Sequence, residues 1–226
     1  MSEQAFQTDV FSTAAGELRI TFLGHGSLLF TYRGKRIYVD PFSRVANYAT
    51  LPKADLILIT HDHRDHLDPE ALADVRTSAT RVVCPEHCLE RVPGGTPLRN
   101  GERRVVQGVA IEAIPAYNIL HLRENGHPFH PRGDGNGYVI DFGDLRVLVA
   151  GDTENTPELR TLRGIDVAFL PMNLPYTMTP EMVAEVAAAI RPRILYPYHY
   201  GATVTSRLVE LLKDHPEIEV RIRNLA

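Results

Sequence analysis

Leu56–Asp68 reads LILITHDHRDHLD. Its first five residues are apolar or β-branched, the composition of a buried strand. The chain then turns polar at once, with three of its ten histidines and two aspartates in the six residues from His61 to His66. A strand ending in such a cluster delivers those side chains to the mouth of a sheet. In extended backbone alternate side chains share a face, so His61 and His63 point the same way, and the following turn carries Asp65 and His66 toward a neighbouring point. Imidazole nitrogen with carboxylate oxygen suits zinc, manganese or iron. Two adjacent metal positions are therefore expected here.

Two later strand ends hold matching donors. LRVLVAGD ends in Asp152 and RILYPYH ends in His199, and ligand sites in α/β sheets collect beyond the carboxyl ends of strands. Alone, a strand-terminal aspartate caps a turn and a histidine beside Tyr and Pro is packed or exposed. Beside the histidine cluster both read as ligands, Asp152 as a carboxylate shared by two metals and His199 as the outer ligand of the second.

Elsewhere strand-like runs alternate with turns and helices. LRITFLG, SLLFTYRG, KRIYVD, TRVVCP, RRVVQGVAIEAIPA, GYVIDFGD, DVAFLP and EVRIRN are rich in β-branched residues, and YRGKR and FGDLR place glycine in hairpin turns. PEALADVRT, PELRTLRG, TPEMVAEVAAAIRP and SRLVELLKDHP read as helices, with Thr179 as N-cap before Pro180. The pattern predicts an α/β fold with sheets covered by helices. No repeat or composition shift marks a boundary, so residues 1–226 read as a single domain, a length that can bury a substantial core.

Composition narrows the partners. Apolar residues make up 44% and charged residues 23% of the chain, values of a soluble globular protein. A net charge of −4 provides no basic excess for nucleic acid. MSEQAFQTDVFSTAAGELRI lacks a basic segment followed by an apolar one, and no run approaches the ~18 apolar residues that span a bilayer. A cytoplasmic protein with a small-molecule substrate and no membrane partner is expected. Cys84 and Cys88 read as buried thiols; a structural zinc there would need two further ligands, and His87 is the one local donor.

The order H-x-H-x-D-H at His61–His66, then Gly151–Asp152, then a strand ending in His199 resembles the metallo-β-lactamase-fold superfamily. FLGHGSLLF at Phe22–Phe30 and VDP at Val39–Pro41 are similar to the branch of L-ascorbate-6-phosphate lactonases and related metal-dependent hydrolases, and more distantly to N-acylphosphatidylethanolamine phospholipase D. The resemblance runs from about Leu18 to His199 and is specific for the fold, not the substrate. It implies a four-layer αβ/βα sandwich with two divalent metals, zinc before manganese or iron, in the cleft between two sheets. His61, His63 and Asp152 would hold the first metal, and Asp65, His66, Asp152 and His199 the second. Asp40 would orient a ligand histidine. His25, between two glycines, would line the pocket or serve as a hydrogen-bonded turn histidine. Relatives often self-associate, which makes a homo-oligomer an expectation.

The chain departs from that pattern in PAYNILHLRENGHPFHP, Pro115–Pro131. Relatives place a third histidine for the first metal in a segment reading PAxHS, whereas here Asn118 stands at that point. Three arrangements fit: Asn118 binds directly or through water, a downstream histidine folds back, or the first metal is weakly held or missing. Among the downstream histidines His130 is favoured, because Pro131 restrains it and a glycine-rich turn leads on into a strand. His121 and His127, near Arg123, Glu124 and Asn125, read as surface residues.

The expected activity is hydrolysis of an ester or lactone, an amide or a phosphodiester by hydroxide bridged between the metals, with Asp65 ligating and orienting it. NLPYTMTPE, with Tyr176, reads either as a second wall of the cleft or as a packed connection. Arg123 and Arg132 would attract an anionic group or remain solvated. The competing readings are a non-catalytic metal-binding protein with a degenerate first site, and an RNA-processing nuclease of the same fold.

Overall fold

The computed structural model describes residues 5–226. Residues 1–4, part of the stretch read for a leader, lie outside the described ones. Seven strands form the first sheet in chain order: β1 (Gln7–Thr13), β2 (Gly16–Gly24), β3 (Ser27–Tyr32), β4 (Lys35–Val39), β5 (Leu56–Leu58), β6 (Arg81–Cys84) and β7 (Thr96–Pro97). The second sheet repeats the scheme with β8 (Arg103–Val106), β9 (Val109–Ala116), β10 (Gly135–Asp141), β11 (Arg146–Val149), β12 (Val167–Pro171), β13 (Ile194–Tyr198) and β14 (Glu219–Val220). In each sheet the first four strands are antiparallel and the last four parallel, one strand belonging to both groups.

Parallel neighbours need a crossover, and the helices lie there. These are α1 (Pro69–Val75), α2 (Pro157–Arg160), α3 (Pro180–Ile190) and α4 (Ser206–Leu211). Three of them start as the sequence predicts. Asp68, Thr156 and Thr179 each accept a backbone N–H with proline as the next residue. Helix α3 buries Val183, Val186, Ala187 and Ile190, a spacing that keeps one face apolar.

Alternation along the strands separates three cores. Leu56 and Leu58 face the second sheet and meet Tyr138, Val147 and Phe169, while Ile57 and Ile59 face outward onto Leu72 and Val75 of α1. On the other side Leu148, Leu170 and Leu195 pack beneath α3 and α4. Helices, sheet, sheet and helices thus form the expected four-layer αβ/βα sandwich.

Some boundaries differ from the sequence reading. RRVVQGVAIEAIPA is two strands, because Gln107 and Gly108 both take positive φ, 54° and 81°, and turn β8 back on β9 with Val106 opposite Val109. That is the two-residue hairpin geometry in which both central residues are left-handed. The sequence reading also passed over β1 and β7, and EVRIRN contributes strand at Glu219–Val220 alone.

Candidate metal centre

The site gathers where β4, β5, β11 and β13 end and the chain must turn sharply. His25, Asp40 and His199 all adopt left-handed backbone, with φ of 52°, 43° and 48°. Such conformations disfavour L-residues by ~1–2 kcal/mol each and concentrate at functional sites. Here they aim the side chains across the sheet ends, and the His199 N–H donates to the His25 carbonyl at 3.2 Å. Gly151 has φ of +68°, and a Cβ on it would stand 2.6 Å from the Asn136 carbonyl oxygen. Only glycine therefore lets the chain pass β10 and present Asp152.

Asp152 lies at the centre. Its Oδ2 is 3.3 Å from His130 Nε2, 3.5 Å from both His66 Nε2 and His199 Nε2, and 3.9 Å from His61 Nε2. To one side His61, His63 and His130 bring ring nitrogens within 4.8 Å of one another, and to the other His25, His66 and His199 nitrogens and an Asp65 carboxylate oxygen do the same. Behind them Asp40 is fully buried. It accepts the Thr60 N–H at 2.8 Å and the Thr60 hydroxyl at 2.6 Å, and its Oδ2 lies 2.7 Å from His66 Nδ1. That contact makes Nδ1 the donor and turns His66 Nε2 toward Asp152.

Four buried atoms facing this centre have no hydrogen-bond partner among the described residues: His61 Nε2, His66 Nε2, His199 Nε2 and Asp152 Oδ1. An unpaired buried polar atom costs about 1–3 kcal/mol, and cations on the two sides of Asp152 would satisfy all four. Two of the histidines already have the protonation that fits, while Asp152 and Asp40 raise His66, which must give up its Nε2 proton when a cation binds. Burial, reinforced by the charge of His66, pushes His61 well below its ordinary value. Burial and His130 lower His63. Both imidazoles are thus neutral, the form that binds metal. Burial alone would raise Asp152, but His199 and His66, with a hydrogen bond from His130, hold it far below the usual carboxylate range. Asp65 is likewise held down against its burial, by the nearby His199 imidazole, 3.5 Å away, and the hydrogen bond with His25.

The structure brings His130, not Asn118, into the cluster. Asn118 Oδ1 accepts the His130 backbone N–H and faces His130 Nδ1, both at 2.8 Å. Asn118 Nδ2 donates to the Tyr176 carbonyl at 2.9 Å and to Glu154 Oε1 at 3.2 Å. With its amide fully engaged, Asn118 fixes the ring of His130 and leaves Nε2 aimed at Asp152 and His63. Asn118→Ala is expected to weaken metal affinity about 10–100-fold, the effect of removing a group that orients a ligand, while an equilibrium metal titration still reaches the wild-type stoichiometry.

Glu154 went unnoticed in the sequence, although it lies two residues after Asp152 in GDTENTP. It is buried and accepts the backbone N–H groups of Ile119, Leu120 and His121 at 2.6–2.7 Å. His121 Nδ1 is also 2.6 Å from it, so His121 is half-buried against a carboxylate and not a surface residue. His127 is exposed as expected, and Arg132 is taken up by Glu158 at 2.5 Å. Burial alone would raise Glu154, yet the three N–H donors and Asn118 lower it below its ordinary 4.5. A depressed carboxylate stabilises fully above its unfolded value and loses that contribution as pH falls through the folded one. Hydrogen exchange at Ile119–His121 is accordingly expected to be protected above about pH 4.5 and to accelerate below it, before global unfolding.

A cavity of about 320 Å³ opens onto the cluster, lined by His25, His63, Asp65, His130, Asp152 and His199, with Arg123, Phe129, Asn173 and Tyr176 above. Phe129 and Tyr176 meet edge to face at 5.1 Å, and the Arg123 guanidinium lies 4.7 Å over Phe129. Of the two readings of NLPYTMTPE each holds for one residue: Tyr176 is 44% exposed at the rim, whereas Met178 is buried. Cys84 and Cys88 are buried and free, and burial pushes the Cys84 thiol up to about 11.

This fold, with histidines and aspartates converging at the strand ends between two sheets, is that of a metallo-β-lactamase-type hydrolase. Residues 19–199 match the β-lactamase superfamily domain, and the chain belongs to that family. A metal-dependent hydrolase of Thermococcus onnurineus is 34% identical over 197 residues, covering 81% of this chain and 85% of its own. The crystal structure of a protein described as a metal-dependent hydrolase from Parabacteroides distasonis is 49% identical, with a TM-score of 0.93 over 98% of this chain and 100% of that one. A metallo hydrolase of Ignicoccus hospitalis, 22% identical, shares the fold with a TM-score of 0.73 over 92% of this chain and 96% of its own.

Proposed function

We propose that this chain holds two divalent cations and hydrolyses an ester or lactone, an amide or a phosphodiester of a small molecule. The observation that carries this reading is the set of unpaired buried atoms around Asp152. His61, His63, His130 and Asp152 would hold one cation, and Asp65, His66, Asp152 and His199 the other, with zinc favoured by the histidine-rich donor set and manganese or iron accommodated. When bound, such a pair supplies hydroxide at neutral pH and Lewis acidity toward the substrate oxygen.

The chain's own groups do the rest. Asp65 is ionised throughout the working range and accepts a hydrogen bond that fixes the direction of an attacking water. His25 Nε2, 2.9 Å from Asp65 Oδ2, is placed to pass a proton to a leaving group. Phe129 and Tyr176 cover the approach and limit water. The degenerate-site alternative rests on Asn118; the nearness of His130 Nε2 to Asp152 Oδ2, 3.3 Å, supports the two-cation reading instead. Action in the cytoplasm is part of the proposal; no helix among the described residues is long and apolar enough to cross a membrane.

The test is to strip the protein with a chelator, restore zinc, manganese or iron, and assay 4-nitrophenyl acetate, an aliphatic lactone, an anilide and bis(4-nitrophenyl) phosphate. Turnover of at least one, lost with chelation and regained with metal, is expected. A protein that refills with metal and hydrolyses none of them would support the non-catalytic reading.

A further inference from the structure

We propose that Arg44 and Arg64 form a subsite that receives an oxyanion carried by the substrate, remote from the bond that breaks; this rests on the hydrolytic reading above. His25 and Asp65 are shared walls. On one side they line the cleft already described, and on the other a hollow of about 390 Å³ completed by Phe42, Arg44 and Arg64. A molecule whose reacting group lies at the cluster can therefore extend past Asp65 into the hollow.

The hollow concentrates positive charge beside the site, since two of its five lining residues are arginines. Net charge is −4, and Arg99, Arg103, Arg132 and Arg207 each sit against a carboxylate. Neither Arg44 nor Arg64 has a carboxylate within ion-pair distance among the described residues, although Arg44 also borders a separate hollow with Glu70 and Asp74. Asp65, the one carboxylate lining the hollow among the described residues, is already engaged by His25 at 2.9 Å and faces His199 at 3.5 Å and His66 at 3.6 Å. Arg64 owes its position to the histidine motif, where it stands between His63 and Asp65, and Arg44 comes from the loop after β4.

Two guanidinium groups beside a partly apolar wall match a carboxylate or a phosphate, which they can bind through paired N–H donors. Within the cleft itself, and not in the hollow, Phe129 and Tyr176 offer aromatic surface beside Arg123. The substrate class is thus a small ester, lactone, amide or phosphodiester with an oxyanion on one arm and an apolar group on the other.

The test compares wild type with Arg44→Ala/Arg64→Ala, each at measured metal occupancy. Calorimetric titration with glutarate and with inorganic phosphate reads binding, and the ratio of kcat/KM for mono(4-nitrophenyl) glutarate over 4-nitrophenyl acetate reads selectivity. At least one anion is expected to bind wild type at least about tenfold more tightly than the double variant, a loss typical of a charge-assisted pair; which one loses more identifies carboxylate or phosphate. The selectivity ratio is expected to fall by a similar factor. Equal binding in both proteins, or no binding to wild type, overturns the subsite even if the esters are hydrolysed. If neither ester is hydrolysed, nor the lactone, anilide or phosphodiester above, while anion binding still depends on the two arginines, the subsite stands and the hydrolytic reading fails.

Discussion

His130→Ala is expected to lower hydrolysis about a thousandfold and to reduce tightly bound metal by one equivalent. His130 Nε2 reaches both Asp152 at 3.3 Å and His63 Nδ1 at 3.2 Å, so its removal opens one flank of the cluster while the Asp65, His66 and His199 flank keeps its donors. The contribution of one cation to transition-state stabilisation is several kcal/mol, and about 4 kcal/mol converts to about three decades in rate. The comparison with Asn118→Ala is informative, because that variant leaves the imidazole in place and removes only the groups that orient it. If His130→Ala retained wild-type metal content and rate, the first flank would not include this residue.

Asp40→Ala is expected to destabilise the fold by about 3–5 kcal/mol, the cost of breaking a buried charged contact by removing one partner. Asp40 is buried together with His66 and Thr60, and alanine would leave His66 Nδ1, the Thr60 N–H and the Thr60 hydroxyl without their acceptor. Asp40→Asn keeps the shape and a carbonyl for Thr60. It is expected to recover most of the stability while metal affinity stays about 10–100-fold down, since the orientation of His66 is still disturbed. Chemical denaturation and metal titration of the two variants separate these effects. Equal losses of stability in both would mean that Asp40 acts by charge alone.

The local part of the site was legible because its donors lie next to one another in the chain. His61, His63, Asp65 and His66 follow a strand directly, and Asp152 and His199 each end another, so strand direction alone predicts convergence. The loop from Asn118 to His130 was legible only as a choice. Whether an asparagine carbonyl or a histidine ring faces a metal depends on what occupies the other amide atom, and those partners, Glu154 and the Tyr176 carbonyl, lie 36 and 58 residues away. Glu154 escaped notice because a carboxylate that binds backbone N–H groups carries no residue pattern of its own. Its place just after a strand-terminal aspartate was the available signal. The fold's outline followed from alternation and capping, but β1 and the turn at Gln107–Gly108 did not. The first buries Phe11 alone and leaves its other apolar residue, Val10, exposed, and the second is a hairpin within an unbroken β-like run.

The most direct test of a shared two-cation centre is elemental analysis of wild type, His61→Ala and Asp152→Ala after dialysis against trace zinc. About two equivalents are predicted for wild type, about one for His61→Ala, and less than one for Asp152→Ala, whose carboxylate borders both flanks. Wild-type metal content in both variants would contradict the account.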